Sequence, residues 1–153
     1  MEINTEEYEE AVKSALICED SSDTRNSIVS ALDSLGYRYE IAASPDDTFE
    51  KLRFNQYDLI VMNEKFGGSA PETNTVYKHI QFMPMMTRRH IFFALIGQGF
   101  KTGDYMTAFS KSANIVINEK EIPNLRPLLK VAIADNDQFY KVYKESLVKM
   151  GKR

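Results

Sequence analysis

Residues 57–63 read YDLIVMN, and this stretch indicates the fold of the whole chain. Four apolar residues in a row, Leu59 to Met62, end at Asn63, and the turn-forming pair Gly67 and Gly68 follows. A short continuous apolar run with β-branched content is typical of a strand buried on both faces, as in a parallel sheet. Ligands of α/β sheets bind outside the carboxyl ends of such strands. Asn63 therefore lies where a binding or catalytic residue is expected. The main clue to function is that this residue is an amide and not a carboxylate.

Four further apolar runs predict strands, and amphipathic segments with capping residues separate them. Ser22 or Asp23 is expected to cap the first helix, Ser44 the second, with Pro45 in its first turn, and Asn124 the last. Strands that alternate with helices form right-handed βαβ units, so we predict an α/β fold with a five-stranded parallel sheet and helices on both faces. The predicted strands are 12–18, 39–42, 59–62, 91–96 and 115–117, and the predicted third and fourth helices are 72–82 and 104–111.

The composition is that of one globular domain. The chain has 153 residues, of which 43% are hydrophobic and 27% charged, and a net charge of -3 gives no whole-chain case for nucleic acid or a membrane surface. The single cysteine, Cys18, excludes an internal disulfide framework, and its apolar neighbours predict a buried core residue. An acidic start and the lack of any apolar run near the roughly 20 residues of a membrane span favour a cytoplasmic location.

Several strand ends resemble those of response-regulator receiver domains. Residues 15–20, ALICED, resemble the first strand and acidic pair of that family, and YDLIVMN looks like the strand that delivers its phosphoacceptor aspartate. Residues 94–97, ALIG, and 113–119, ANIVINE, are similar to the two later strand ends. The resemblance covers about residues 12–134 and implies a flavodoxin-like, doubly wound sheet with strand order 2-1-3-4-5. It also implies a module of two-component signal transduction.

The chain departs from the family pattern at every position that handles phosphate. The acceptor position is Asn63, the hydroxyl position is Gly97, the lysine position is Glu119, with Lys120 one residue too late, and the switch aromatic is Val116. Phosphoryl transfer needs a carboxylate nucleophile and positioned positive donors, whereas Asn63 is a neutral amide, Gly97 has no side chain and Glu119 would repel the anion. We therefore predict a degenerate pseudo-receiver that is not phosphorylated and is not an enzyme. The alternative is a working phosphorelay receiver with Mg²⁺-dependent phosphotransfer.

Two candidate sites have a chemical and a plain structural interpretation. Glu19 and Asp20 are hard oxygen ligands that could hold Mg²⁺, or they could be loop-end residues without a ligand. Asn63 could act in the pocket, or it could fix the loop through hydrogen bonds to the backbone. His79 and His90 are far apart and are expected at the surface or in packing. Residues 85–90, which include two arginines, are expected to be a solvated loop without a role in nucleic-acid binding.

The last helix carries the strongest signal for binding. A receiver domain needs its apolar stripe only to about Ala134, so we divide the chain into an acidic arm at 1–11, a receiver-like domain at 12–134 and a helical extension at 135–153. The extension must pack back, dock on a protein partner or pair with a second copy, and we predict a homodimer. The predicted interface residues are Phe139, Tyr140, Tyr143, Leu147 and Met150.

Overall fold

The computed structural model describes residues 12–151, except for the side chains of Lys144 and Leu147. The predicted acidic arm therefore lies outside the described residues, as does the Leu147 side chain of the predicted interface. Five strands form one parallel sheet in the order β2-β1-β3-β4-β5, which confirms the predicted flavodoxin-like topology. The strands are β1 (Ser14–Cys18), β2 (Arg38–Ile41), β3 (Leu59–Asn63), β4 (Phe92–Gly97) and β5 (Ile115–Asn118).

In the part of the chain that the structure describes, six α-helices connect and follow these strands. Helix α6 has 25 residues, and the predicted C-terminal helix is therefore present. Short 3₁₀ turns cover Phe66–Gly68, Pro71–Thr73 and Glu119–Asn124. The helices are α1 (Ser22–Ser34), α2 (Pro45–Phe54), α3 (Thr75–Gln81), α4 (Met85–Arg88), α5 (Tyr105–Ser110) and α6 (Leu125–Lys149).

The sheet is covered on both faces because alternate residues of each strand point to opposite sides. On one face Ile28 and Leu32 of α1 and Leu125 and Leu129 of α6 join a buried cluster. The other face is covered by α2, α3 and α5, and its fully buried rings include Phe66 and Phe93. Strand β3 lies in the centre with all five residues buried, as its continuous apolar run predicts.

The helix starts differ from the predictions in two places. Ser21, rather than Ser22 or Asp23, caps α1 through its hydroxyl oxygen, which accepts the Thr24 N–H. Asn124 precedes α6 without capping it, because its amide donates to Glu121 Oε1 at 3.1 Å. The cap of α2 is confirmed: Ser44 Oγ accepts the Asp47 N–H at 3.1 Å, and Pro45 lies in the first turn.

The segment between β3 and β4 contains more structure than predicted. The expected helix 72–82 is divided into a 3₁₀ turn and α3, because the buried Asn74 side chain accepts the Tyr77 N–H and starts a new helix. Although Met85 and Met86 are exposed as expected of a solvated segment, residues 85–88 form the short helix α4, so the predicted loop is wrong there. Arg88 explains this, since its guanidinium donates to the carbonyl oxygens of Ile91 at 2.6 Å and Ser112 at 2.8 Å and to Asn114 Oδ1 at 2.9 Å.

Candidate functional site

The carboxyl ends of three strands bring together Glu19, Asn63 and Glu119. Glu19 follows β1 directly, Asn63 ends β3, and Glu119 follows β5. In the register of the sheet Cys18 pairs with Met62, Asn63 pairs with Ile96 and Gly97 pairs with Asn118, which places the ends of β1, β3 and β5 at the same edge. The structure thus brings together residues that are 44 and 56 positions apart in the chain.

The Asn63 side chain makes three hydrogen bonds at these strand ends. Its amide nitrogen donates to Glu19 Oε1 at 3.0 Å and to Glu119 Oε2 at 2.8 Å. Its amide oxygen accepts the backbone N–H of Lys65 at 2.9 Å. The orientation is forced, because a reversed amide would face two carboxylates with its oxygen and the Lys65 N–H with its nitrogen. Asn63 is therefore a neutral bridge between two acids.

Glu19 and Asp20, the predicted metal ligands, have separate tasks in the loops. Glu19 is only 4% exposed, and its second oxygen accepts the Ser21 N–H at 3.0 Å. Asp20 Oδ2 accepts the backbone N–H groups of Gly67 at 2.9 Å and Gly68 at 3.1 Å. These glycines have φ values of 84° and 74°, which glycine adopts without a steric cost. Asp20 therefore holds the loop after β3 against the end of β1.

The donor set does not fit Mg²⁺. Such an ion takes oxygen ligands in a near-octahedral arrangement. Both Glu19 oxygens already accept hydrogen bonds, and the side-chain group that lies between Glu19 and Glu119 is the N–H₂ of Asn63, a donor with no lone pair to offer. Within residues 12–151 no group of three or more His, Cys, Asp or Glu side chains is arranged to hold a metal ion.

Glu64 fills the space beside Gly97, and sequence analysis did not identify it. A Cβ atom on Gly97 would lie 2.4 Å from Glu64 Oε2 and 2.8 Å from Phe100 Cε2. Burial is the main cause that raises the pKa of Glu64; Glu119 and Glu72 add to the effect, while Lys111 and Lys65 oppose it. The place where the resembling family has a hydroxyl thus holds a partly desolvated carboxylate that repels anions.

Val116 and Cys18 are core residues. Both are fully buried, and Val116 belongs to the same cluster as Tyr77 and Phe93. The Tyr77 hydroxyl donates to the Lys111 carbonyl oxygen at 2.8 Å, which ties α3 to the end of α5. Burial raises the pKa of the Cys18 thiol to about 12, so this cysteine is an unreactive core side chain.

Ser112, which follows α5, is in a left-handed conformation. Its φ is 61°, and no other non-glycine residue in the described part of the chain has a positive φ. Such a conformation costs a residue with a Cβ about 1 kcal/mol. Its carbonyl oxygen accepts from Arg88 at 2.8 Å, a contact that holds the turn.

Helix α6 packs on its own domain as far as Tyr140. Asp137 lies 3.9 Å from Lys13, and the Tyr140 ring lies edge-on to His90 with centroids 6.2 Å apart. Tyr140 of the predicted interface thus makes an intramolecular contact, and the ring of Tyr143 stacks beside it. His79 also packs on a ring, that of Phe49, at 5.4 Å.

From Phe139 onward the apolar side of α6 is no longer covered by the domain. At about 100° per residue, Phe139, Tyr143 and Met150 lie in the same sector of the helix as Leu125 and Leu129, which pack on the sheet. The exposed fractions of Phe139, Tyr143 and Met150 are 73%, 44% and 62%. The stripe that is covered in the first half of the helix is therefore uncovered in the second half.

Comparison with known proteins shows the fold class. A receiver domain from Methanospirillum hungatei superposes with a TM-score of 0.63 at 18% identity over 86% of this chain and 98% of that chain. A response regulator from Thermotoga maritima gives 0.61 at 16% identity over 81% and 99%. An orphan response regulator of H. pylori gives 0.58 at 16% identity over 78% and 95%. The chain therefore adopts the receiver-domain fold.

Sequence-based comparisons add no relative to these structures. No family model matches the chain, and no curated protein matches it. Inferences about function therefore rest on the residues at the strand ends and not on overall sequence similarity. Within residues 12–151 no helix is both long and apolar enough to cross a membrane.

Proposed function

We propose that this protein is a pseudo-receiver: a cytoplasmic, non-enzymatic signalling module that works through protein contacts without phosphorylation on an aspartate. The observation that carries the proposal is the Asn63 amide, whose nitrogen donates to Glu19 and Glu119 and whose oxygen accepts the Lys65 N–H. An amide engaged in this way is a poor nucleophile, and the two carboxylates beside it repel a phosphoryl donor.

A second observation supports the same conclusion. The Glu64 carboxylate lies beside Gly97, where a phosphoryl oxygen would need a hydrogen-bond donor. Lys120, the basic residue closest in sequence to the lysine position, is exposed, and its backbone N–H binds Asn118 Oδ1 at 2.9 Å. An incoming phosphate would thus meet acids where catalysis requires donors and positive charge.

Phosphorylation can be tested directly with radiolabelled acetyl phosphate and Mg²⁺, with a functional receiver domain as positive control. We expect no label on the wild-type protein and none on Asn63→Asp, because restoring the acceptor leaves Gly97 and Glu119 in place. Label on the wild type contradicts the proposal and supports a working phosphorelay receiver. Asp58→Asn then shows whether Asp58, at the opposite end of the strand, is the acceptor.

We further propose that the uncovered stripe of α6 forms a homodimer. Phe139, Tyr143 and Met150 lie within about 40° of one another around the helix and are at least 44% exposed. An apolar stripe that continues past its own domain is stabilised when a second copy covers it, and a two-fold axis lets identical stripes pair.

Sedimentation equilibrium on the full chain tests this arrangement. We expect the wild type at twice the chain mass of 17.5 kDa and the double variant Phe139→Ser, Tyr143→Ser at the chain mass. The matched control is Val148→Ser, because Val148 is 60% exposed on the same part of the helix but lies about 180° from Phe139. A wild-type monomer, or a dimer that the double variant leaves intact, contradicts the proposed interface.

A further inference from the structure

A groove runs between α2 and residues 78–91, at the opposite end of β3 from the strand-end cluster, and its lining residue His90 contacts Tyr140 of α6. It consists of two adjoining cavities of about 470 and 690 Å³. Both cavities are lined by Leu52, Arg53, Met83 and Thr87, so they form one continuous surface, which we call the α2–α4 groove. Volumes of this size fall in the range of binding pockets in other proteins.

The groove has an apolar floor and an apolar rim. Leu52 and Met83 are partly buried and pack on the core. The rim residues Phe54, Phe82 and Met86 are 70%, 82% and 74% exposed. Large apolar side chains gathered around a groove are characteristic of interaction surfaces, and methionine adapts to differently shaped partners.

The charges that line the groove are mainly positive, although the whole chain carries -3. Arg53 and Lys78 contribute cations, and His79 and His90 contribute imidazoles. The one carboxylate of the lining, Asp58, already accepts the Ser14 N–H at 2.9 Å. An occupant with acidic flanks is therefore complementary to this surface.

The position of the groove selects a helix as its occupant. A bound peptide strand needs the free edge of a sheet, and the edge strands here are β2 and β5, whereas the groove lies between helical segments. The extension of a second copy is disfavoured, because residues 135–153 hold five basic and three acidic side chains and would bring net positive charge to Arg53 and Lys78.

We propose that the α2–α4 groove binds an amphipathic helix of a partner protein, with an apolar face that fills the groove and acidic residues along its flanks. The inference rests on the proposed function in that it gives this module a docking face. It requires neither the absence of phosphorylation nor the α6 dimer, so its test is independent of theirs.

Two synthetic helical peptides of 16 residues provide the probe. Both carry Leu and Met at positions i, i+3, i+4 and i+7; one has Glu on its flanks and the other has Lys. Binding to the full chain is measured by fluorescence anisotropy, and the binding surface is mapped by backbone amide shifts. We expect the Glu peptide to bind at least about tenfold more tightly than the Lys peptide, with shifts along α2 and residues 78–91.

Variants of the groove and of another surface separate docking from unspecific adhesion. Phe82→Ser and Met86→Ser are expected to weaken binding of the Glu peptide at least about tenfold, as for apolar anchors at other interfaces. Phe109→Ser on α5 is the matched control, because Phe109 is 83% exposed and does not line the groove. We expect that variant to bind as the wild type does.

Three results would overturn the proposal. Equal affinity for the two peptides removes the charge argument, and shifts centred on α5 or α6 place the site elsewhere. Absence of binding by the wild type together with tight binding by a full-length variant with glutamine at 6, 7, 9 and 10 would assign the groove to the chain's own acidic arm. Each result leaves the phosphorylation and sedimentation experiments to be judged on their own outcomes.

Discussion

The strand-end cluster and the α6 stripe differ in how their side chains are satisfied. Asn63 makes three hydrogen bonds within its own chain, all of 3.0 Å or shorter, and is only 7% exposed. Phe139, on the outer half of α6, is 73% exposed. The contrast teaches that the polar side chain at the end of the central strand is hydrogen-bonded within the chain, while the exposed apolar surface lies on the helices. Polar groups that are fully paired stabilise a structure, whereas exposed apolar groups gain from a partner.

The largest expected effect on stability comes from removing the Asn63 amide from the strand-end cluster. Asn63→Ala deletes three hydrogen bonds, two of them to carboxylates, and leaves Glu19 and Glu119 without the donor between them. Since a hydrogen bond to a charged group contributes about 1.5–3 kcal/mol, we expect a loss of about 3 kcal/mol in the free energy of unfolding, measured with urea. A loss below about 0.5 kcal/mol would show that Asn63 is not part of the scaffold.

The next effect concerns the packing of Glu64 against Gly97. Gly97→Ala places a Cβ 2.4 Å from Glu64 Oε2 and 2.8 Å from Phe100 Cε2; the Glu64 carboxylate ends a flexible side chain and can move, whereas the Phe100 ring is buried, so we expect a cost of about 1 kcal/mol. The cost should fall on a Glu64→Ala background, because one of the two contacts is then absent. Gly99→Ala is the matched control, since its Cβ meets nothing within 4 Å. An equal cost in both backgrounds, from a double-mutant cycle by urea unfolding, would contradict the Glu64 contact.

A smaller effect follows from the charge on Glu64. Burial raises the pKa of Glu64 in the folded state, so the folded protein binds the proton more readily than the unfolded chain. The stabilisation from this proton is fully present below the unfolded pKa, near pH 4, and is lost as the pH rises through the folded pKa. Glu64→Gln should thus be more stable than the wild type at pH 7 and equal to it below about pH 4. Urea unfolding at both pH values measures the free energy of unfolding of the two proteins. A wild type that is more stable than Glu64→Gln at pH 7 contradicts the prediction.

The smallest effect is expected on the open surfaces. Phe82→Ser and Phe109→Ser remove rings that are 82% and 83% exposed, and substitutions of this kind change the free energy of unfolding by less than about 0.5 kcal/mol. Thermal or urea unfolding of the two variants measures this. A loss above about 1.5 kcal/mol would mean that these rings pack against the domain. The contrast between the strand-end cluster and the exposed helix surfaces would then be wrong.

Sequence patterns were sufficient for the sheet and for the position of the cluster. The apolar run 59–62 and its four counterparts correspond to β1–β5 within two residues at each end, and the strand order implied by the resemblance is confirmed. The Asn63 position follows from this, because the end of a central strand must lie at the carboxyl edge of the sheet. The hydrogen bond from the Lys65 N–H agrees with the structural interpretation of Asn63 as a residue that fixes the loop.

The misses share one physical cause. Arg88 resembles a residue of a solvated loop because its acceptors, Ser112 and Asn114, follow 24 and 26 positions later. Glu64 is unremarkable in the sequence, since only the approach of β3 and β4 brings its side chain beside Gly97. The cap of α1 is Ser21, one residue before the predicted Ser22. Asn124 does not cap α6, because Glu121 competes for its side chain.

Contacts within one helical turn or along one strand join residues that are close in sequence. Periodicity and turn chemistry therefore predict the five strands and the length of α6. Contacts between strand ends depend on register and packing, which arise only when distant segments meet. That is why the amide type of Asn63 was evident from the chain, whereas its place as a bridge between Glu19 and Glu119 emerged from the assembled sheet.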